Sequence, residues 1–213
     1  METQTAPKPE GRVAKRQRRN RKALIGAARK IMSEKGIDAA TMLEIAELAD
    51  VGAGTVYNYF KSKEDLAVAV LEELMHELAL KIEKVTDTFD DPAQVYAFGI
   101  RTVIDAATTD IRWRQLLYRS EVLANAMFHQ MGPFAIRDLK RATEAGRFKV
   151  DDAALTWKMA NHAIVGVALA VTTGELEECV VDEAVIRLLC MTGIGREEAI
   201  DLAHRERPAL PFR

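Results

Sequence analysis

Proline and glycine are scarce, with six Pro and twelve Gly in 213 residues. Sandwiches and barrels spend such residues at their many turns. Ala, Glu, Leu, Arg and Lys dominate instead, and these are strong helix formers, so the composition points to an all-α protein. Cysteine is nearly absent. Cys179 and Cys190 make neither a disulfide framework nor zinc-ligand spacing, which suits a reducing compartment. The four histidines, His76, His129, His162 and His204, are dispersed along the chain. No H-E-x-x-H, G-x-S-x-G or phosphate-binding loop occurs, and no nucleophile sits with a base. Acidic pairs such as Glu72-Glu73 and Asp151-Asp152 read as solvated faces and caps. Catalysis therefore has no visible carrier, and neither a cofactor nor a metal is expected. The most apolar stretch, Ala163 to Val171, is shorter than the roughly 20 residues that a bilayer requires. The charged N-terminal stretch lacks the apolar core of a signal peptide. A cytoplasmic protein without a membrane partner is the expectation.

What is present is an asymmetry of charge. Residues 1–63 hold thirteen Lys and Arg against seven Asp and Glu, a surplus of +6. Residues 64–213 hold seventeen against twenty-five, a deficit of −8. A basic head on an acidic body implies that the head alone meets a polyanion, although a merely solvated basic tail has the same composition. The densest basic run, Arg12 to Lys22, has seven basic residues in eleven positions. It reads as the end of a disordered arm over residues 1–19, in which Arg16, Arg18 and Arg19 neutralise phosphates or enter a minor groove. Deleting residues 1–18 should then weaken DNA binding and flatten its salt dependence.

Residues 20–63 carry the pattern of a helix-turn-helix. Leu24, Ala27, Ala28, Ile31 and Met32 recur at helical spacing, and Gly36 is a good stop. Thr41 and Glu44 have the spacing of a capping box at the start of a second, short helix. Its inner face would be Met42, Ile45, Ala46 and Ala49. A turn at Asp50-Val51-Gly52 leads to a third helix from about Ala53 to Phe60. Val56 and Phe60 would point inward and Ala53, Thr55, Tyr57, Asn58 and Lys61 outward. Small side chains at Ala46 and Ala49 permit close crossing. Gly54 leaves room for the backbone to approach a duplex. Thr55 and Tyr57 suit base edges, while Tyr59 and Lys63 suit phosphates. The competing reading is an ordinary helical hairpin with surface tyrosines.

The stretch from Thr41 to Leu66, and above all Gly54-Thr55-Val56-Tyr57-Asn58-Tyr59-Phe60 followed by Lys63-Glu64 and Leu66, resembles the DNA-binding signature of the TetR family of bacterial regulators. The resemblance implies that Thr41 holds a phosphate, that Ala53, Gly54, Thr55 and Tyr57 face the major groove, and that Tyr59 and Lys63 anchor to the backbone. Three positions depart from the family pattern. Gly52 stands where many members have Ser, which removes a side-chain N-cap. Asp50 replaces a common Gly and must then take a left-handed backbone. Leu43 stands where many members place an Arg that reaches DNA.

Residues 64–213 should form a helical effector-binding and dimerisation domain, for about nine or ten helices in all. Ser62 with Asp65 caps a helix to about Thr86. Asp91-Pro92 opens another to about Ala107. Further helices are expected from Asp110 to about Tyr118, from Ser120 to Ala145 with a kink or break at Gly132-Pro133, and from Asp151 or Asp152 to near Gly174. The last two run from Asp182 to near Gly193 and from Arg196 to Arg205. Most large apolar residues, Tyr96 and Trp157 among them, read as core. Trp113, Asn125, Phe128, His129, Phe134, Asn161 and His162 are candidates for contact with a small molecule held between helices. Ala163, Ile164, Val167, Ala168 and Val171, with Val185, Ile186, Leu188 and Leu189, spread apolar residues over wide arcs. The family resemblance makes these two helices the homodimer interface. The reading is a dimeric regulator, a repressor more readily than an activator, bound to near-palindromic double-stranded operator DNA and released by an apolar or amphipathic effector. A ligand-independent DNA-binding protein is the alternative.

Overall fold

The computed structural model describes residues 11–109 and 120–210. Nine helices and no strand occur among them. In chain order they are α1 Arg12–Ala39, α2 Met42–Leu48, α3 Ala53–Val56, α4 Lys63–Thr86, α5 Pro92–Thr109, α6 Ser120–Glu144, α7 Ala153–Thr172, α8 Val180–Cys190 and α9 Arg196–His204. The helix expected from Asp110 to Tyr118 lies outside the described residues. Two compact units divide the chain after Val70, so that α4 starts in the first and ends in the second. That boundary falls about two turns beyond the junction expected at residue 63.

In the first unit, α1 begins earlier than its charge suggested. Residues 12–19 are helical and do not form a disordered arm. Arg, Lys and Gln lose little rotamer freedom in a helix, so a basic run interleaved with Gln17, Asn20 and Ala23 can still propagate one. Helical spacing then gathers Arg12, Lys15, Arg16 and Arg19 on one exposed stripe. The helical run breaks at Gly36, whose φ of 85° and ψ of 165° belong to glycine territory. Leu24, Ala28, Ile45 and Val56 form the buried centre of this unit.

In the second unit, Asp91 caps α5 by accepting the Ala93 amide at 3.0 Å, and Pro92 takes the first helical position. Asp91 also ties the ends of the unit together, accepting from Arg147 at 3.0 and 3.1 Å and from Arg205 at 3.1 Å. Burial pushes its carboxyl upward, but these guanidinium bonds and the Ala93 amide outweigh it and hold the group below its ordinary value. Of the kink or break expected at Gly132-Pro133, the break does not occur: helix α6 runs through both residues. Asp152 caps α7, accepting from Ala154 and Leu155 amides at 2.9 Å each. By length and composition α7 is apolar enough to cross a membrane. Within the unit, however, Trp157, Ala160, Ile164, Val165 and Ala168 along it are buried. Apolar residues on α5 and α6, including Ile104, Leu123 and Met127, complete that core.

Candidate nucleic-acid interface and internal cavity

The first unit presents its third helix through local chemistry at each junction. The Thr41 hydroxyl accepts the Glu44 amide at 3.3 Å, and the Glu44 carboxylate accepts the Thr41 amide at 3.1 Å, which completes the capping box. Lys35, one turn before the end of α1, donates to the same carboxylate at 2.5 Å. The Lys35 and Thr41 bonds hold the Glu44 carboxyl down at about 2. A four-residue turn, Ala49 to Gly52, then reverses the chain. Val51 donates to the Ala46 carbonyl at 3.0 Å, and Asp50 sits at φ 53°, the left-handed conformation its position demands. Ala46 is 1% exposed, so the small side chain lies where the two helices cross.

Helix α3 is shorter than expected. Its regular part ends at Val56, and Tyr57 to Tyr59 continue as a tight turn in which the Tyr59 and Phe60 amides both reach the Val56 carbonyl. Val56 and Phe60 are buried, whereas Ala53, Gly54, Tyr57 and Asn58 are exposed and Thr55 and Tyr59 are half-buried. Tyr57 is 58% exposed, a large aromatic left in water on the outer side of the shortest helix. Arg21 lies 5.3 Å from the Phe60 ring centroid, so this part of the basic run braces the end of the α3 turn. Ser62 caps α4 through the Asp65 amide at 3.1 Å. Lys63 donates to the Asp38 carbonyl at 2.6 Å, which fixes its ammonium at the close of α1. Arg16, Arg18 and Arg19 are exposed on the first turns of α1. The Thr41 hydroxyl proton points to Glu44 at 2.7 Å, so it donates to a phosphate only if that bond opens. Leu43 is 56% exposed on α2, an apolar side chain on the same polar unit.

A cavity lies within the second unit, between α4, α5, α6 and α7. Its volume, measured as the space open to the centre of a water molecule, is about 40 Å³. Ile82, Ile100, Val103, Met131 and Phe134 give it apolar walls. Tyr96, Trp157 and Asp138 also line it and are 2%, 2% and 8% exposed. Neither the Tyr96 hydroxyl nor the Trp157 Nε1 has a hydrogen-bond partner among the described residues. Burial, with Asp138 adding to it, pushes the Tyr96 phenol well above its ordinary value, so it stays a neutral O–H. Burial likewise raises the Asp138 carboxyl, against the opposing pull of Arg137. Arg137 bonds Asp138 Oδ1 at 3.0 and 2.9 Å and also bonds Glu83. Gly132 permits the closest approach: a Cβ there would lie 3.2 Å from Trp157 Nε1.

Of the residues picked from sequence for a small molecule, Phe134 lines this cavity. Asn161 is fully buried but engaged elsewhere, donating to the Ala124 carbonyl at 2.8 Å and meeting His162 Nδ1 at 2.6 Å. Asn125, His129 and His162 are exposed, and Phe128 is half-buried beneath the Lys158 ammonium at 4.9 Å. Trp113 lies outside the described residues. Tyr96, Trp157 and Asp138 were missed as a polar set, although a Tyr or Trp among apolar helix positions does signal a polar end that needs a partner. No cluster of three or more metal-ligating side chains occurs among the described residues.

Comparison with known proteins agrees with this division. Residues 24–70 match the family described as bacterial regulatory proteins, tetR family, and residues 91–205 match the tetracyclin repressor-like C-terminal domain. The structure of RolR in complex with resorcinol superposes with a TM-score of 0.83 at 29% identity, over 93% of this chain and all of that one. RolR without ligand gives 0.78 at 30% identity, over 89% and 100%. The transcriptional repressor KstR of Mycolicibacterium smegmatis is 31% identical over 110 residues, 52% of this chain and 54% of its own length. The uncharacterized regulator YhgD of Bacillus subtilis is 36% identical over 67 residues, 32% of this chain and 35% of its own length. The chain thus aligns over about a third to a half of these curated relatives. FadR of Bacillus subtilis in complex with stearoyl-CoA shares the fold, with a TM-score of 0.58 at 19% identity over 82% of this chain and 99% of that one. With the head and the body each matched in turn, the chain belongs to the TetR family of bacterial regulatory proteins.

Proposed function

We propose that the protein is a one-component transcriptional regulator, a repressor, which binds operator DNA as a homodimer in the cytoplasm and is released by a small molecule. The observation that carries this reading is the outer surface of α3. Gly54 is exposed and Thr55 half-buried on a helix of four residues whose inner side, Val56, has no exposed surface, and Tyr57 stands exposed at its C-terminal end. A helix held by one buried side chain and free on its other side fits a major groove. Ala53, Gly54, Thr55 and Tyr57 face the groove, where Thr55 and Tyr57 meet base edges, and Asn58, Tyr59, Lys63 and Thr41 serve beside them, Tyr59, Lys63 and Thr41 at the phosphates. The basic stripe of α1, with Arg16 and Arg19, adds charge that positions without reading sequence.

Dimerisation follows from the second unit. Leu155 and Met159 on α7 are 56% and 53% exposed, and Ala163 and Gly166 continue the exposed side of that helix. Pairing α7 and α8 with their copies would cover this apolar face, and a near-palindromic operator asks its two recognition helices to lie about 34–36 Å apart, one turn of DNA. RolR carries resorcinol in its solved complex. By likeness, the cavity of this chain receives the molecule that shifts the operator-bound state. A ligand does so only by favouring one conformation over the other.

The test is genome-wide recovery and footprinting of duplexes bound by the purified protein, followed by titration of the recovered site. Thr55→Ala and Tyr57→Ala should each weaken binding about 5- to 100-fold, the range for loss of a base contact. Circular dichroism and light scattering should remain those of the parent. Parent-like affinity in both folded variants would remove α3 from recognition and end this reading.

A further inference from the structure

Most side chains around the internal cavity are buried. The half-buried ones are Glu83, Gly99, Phe134, Ala135 and Arg137, so the wall reaches water at these positions. Three of them are joined. Arg137 of α6 bonds Glu83 of α4 and so bridges the two helices. The Arg137 guanidinium carbon stands 5.8 Å from the Phe134 ring centroid, and that ring meets the His76 ring of α4 at 6.2 Å. An ion pair and an aromatic ring therefore span α4 and α6 where the cavity wall meets water. The two charged side chains keep 35% and 29% of their surface exposed, so either can leave the other without carrying a charge through an apolar layer.

A second recess adjoins this rim. It measures about 180 Å³ by water centres, against about 40 Å³ for the cavity. Thr86, Arg137 and Asp138 line both spaces. Two of these are fixed in the shared wall. Thr86 is 5% exposed with its hydroxyl donating to the Glu83 carbonyl at 3.2 Å, and Asp138 is 8% exposed. Arg137 is the long and half-exposed member, and so the one with room to move. Asp87 and Arg141, one helical turn beyond Glu83 and Arg137, line the outer recess together with Asp90. A guanidinium that leaves Glu83 thus finds further carboxylates on the outer side.

We propose that Arg137 is the gate of the cavity: it closes the α4–α6 mouth while paired with Glu83, and it opens the mouth by swinging toward Asp87 and Asp90 in the outer recess. The purpose of such a gate rests on the ligand-responsive regulator reading, but its geometry does not. A gate sets how fast a molecule enters and leaves, whereas the walls behind it set which molecule stays. A half-exposed ion pair favours the closed form by a small factor only, and salt loosens it. Exchange through the mouth is therefore expected without unfolding of the unit.

Trp157 lines the cavity and is 2% exposed, so its indole reports what passes the mouth. The test is acrylamide quenching of Trp157 fluorescence in the full chain, without DNA, with Trp113→Phe leaving a single indole. Should that background fail to fold, hydrogen exchange of the Trp157 indole N–H, read by NMR with both tryptophans present, takes its place. Glu83→Gln keeps the side-chain shape and removes the charge. It should raise the quenching or exchange rate about two- to fivefold, the factor for loss of one half-exposed ion pair. Raising sodium chloride from about 0.05 to 0.5 M should increase the rate in the parent and leave it flat in Glu83→Gln, because screening acts on the pair. Glu183→Gln breaks ion pairs to Arg187 and Arg196 elsewhere in the same unit and should match the parent. A merely structural ion pair would act through general loosening, and the two variants would then rise together. Parent-like rates in Glu83→Gln, an equal rise in Glu183→Gln, or no response to salt in the parent overturns the proposal. These readings need neither duplex nor effector, so they stand apart from the footprinting. A chain that binds no duplex but shows the Glu83 effect keeps the gate and loses the regulator, and one that binds duplex without the Glu83 effect does the reverse.

Discussion

The two units handle their polar side chains in opposite ways. In the first, the polar groups at Thr41, Glu44, Lys35, Ser62 and Lys63 lie near water, and each is spent on a helix end within a few residues or across one helix junction. Their work is to shape backbone, and the outer side of α3 is left open. In the second, polar groups go inside. Asn161 is matched there by the Ala124 carbonyl and His162, whereas the Tyr96 hydroxyl and Trp157 Nε1 have no partner among the described residues. Buried polar groups are overwhelmingly satisfied in folded proteins, so the two exceptions stand apart from Asn161, which ties α7 to the α6 backbone. A surface that reads a large polyanion needs only to be presented. Buried groups left without a partner are kept at a cost in stability.

The largest effect that would sharpen this contrast concerns Asn161. Asn161→Ala removes a fully buried side chain together with the bond from α7 to the α6 backbone. A loss of about 2–3 kcal/mol is expected in denaturant unfolding, from the cavity and the lost hydrogen bond together. Tyr96→Phe removes a buried hydroxyl without a partner and should move stability the other way. If both variants were destabilised alike, the distinction between a structural and a stored polar group inside the second unit would fail.

How much of this was legible in the sequence follows the same line. The capping box, the left-handed Asp50, the Gly36 break and the Asp91-Pro92 start are set by residues a few positions apart, and each is where its local rule puts it. The surface of α3 was legible for that reason too, since a short helix with Val56 and Phe60 inward leaves few outward residues to choose from. The basic run misled because charge density suggested a chain without a core to pack on, while helix propensity over Arg12 to Lys22 pulled toward order. The cavity was not legible. Tyr96, Asp138 and Trp157 come from three helices, and only packing reveals that Gly132 lets the indole approach and that no carbonyl among the described residues meets its nitrogen. Asn125, His129 and His162 were attractive as polar residues in apolar surroundings, yet helical phase turns them outward.

A middle-sized effect tests the first unit. Thr41→Ala removes the hydroxyl that caps α2 and should cost about 1 kcal/mol, seen as faster amide exchange over Met42 to Leu48. The acid dependence is more diagnostic. Glu44 titrates at about 2 in the folded chain, below the ordinary 4.5, so in that window the unfolded chain holds more protons and stability rises with pH. The contribution is complete above about pH 4.5 and is lost as pH falls toward 2. Asp138, raised above 3.8 by burial, has the reverse sign: its contribution is complete below 3.8 and falls away as pH rises through its folded value. Glu44→Gln should flatten the acid loss of the first unit, and Asp138→Asn should flatten the opposite slope in the second. Slopes of the same sign in the two variants would contradict the assignment of causes.

The smallest effect is the one most specific to this chain. Gly52 occupies the N-cap of α3 at φ −56° and ψ 137°, a conformation open to any residue, and supplies no side-chain bond to the helix it starts. A Cβ there would lie 3.5 Å from the Thr55 hydroxyl, an ordinary contact. Gly52→Ser should therefore fit and stabilise the unit by only a few tenths of a kcal/mol, since glycine is itself a tolerable N-cap. The added hydroxyl would also sit beside the Thr55 hydroxyl, on a residue proposed to meet base edges. A small gain in stability accompanied by a change in operator affinity would tie the recognition surface to its own cap. A gain in stability with affinity and sequence preference unchanged would show that the surface of α3 tolerates a new neighbour, and Thr55 would then have to be moved from base recognition to helix support.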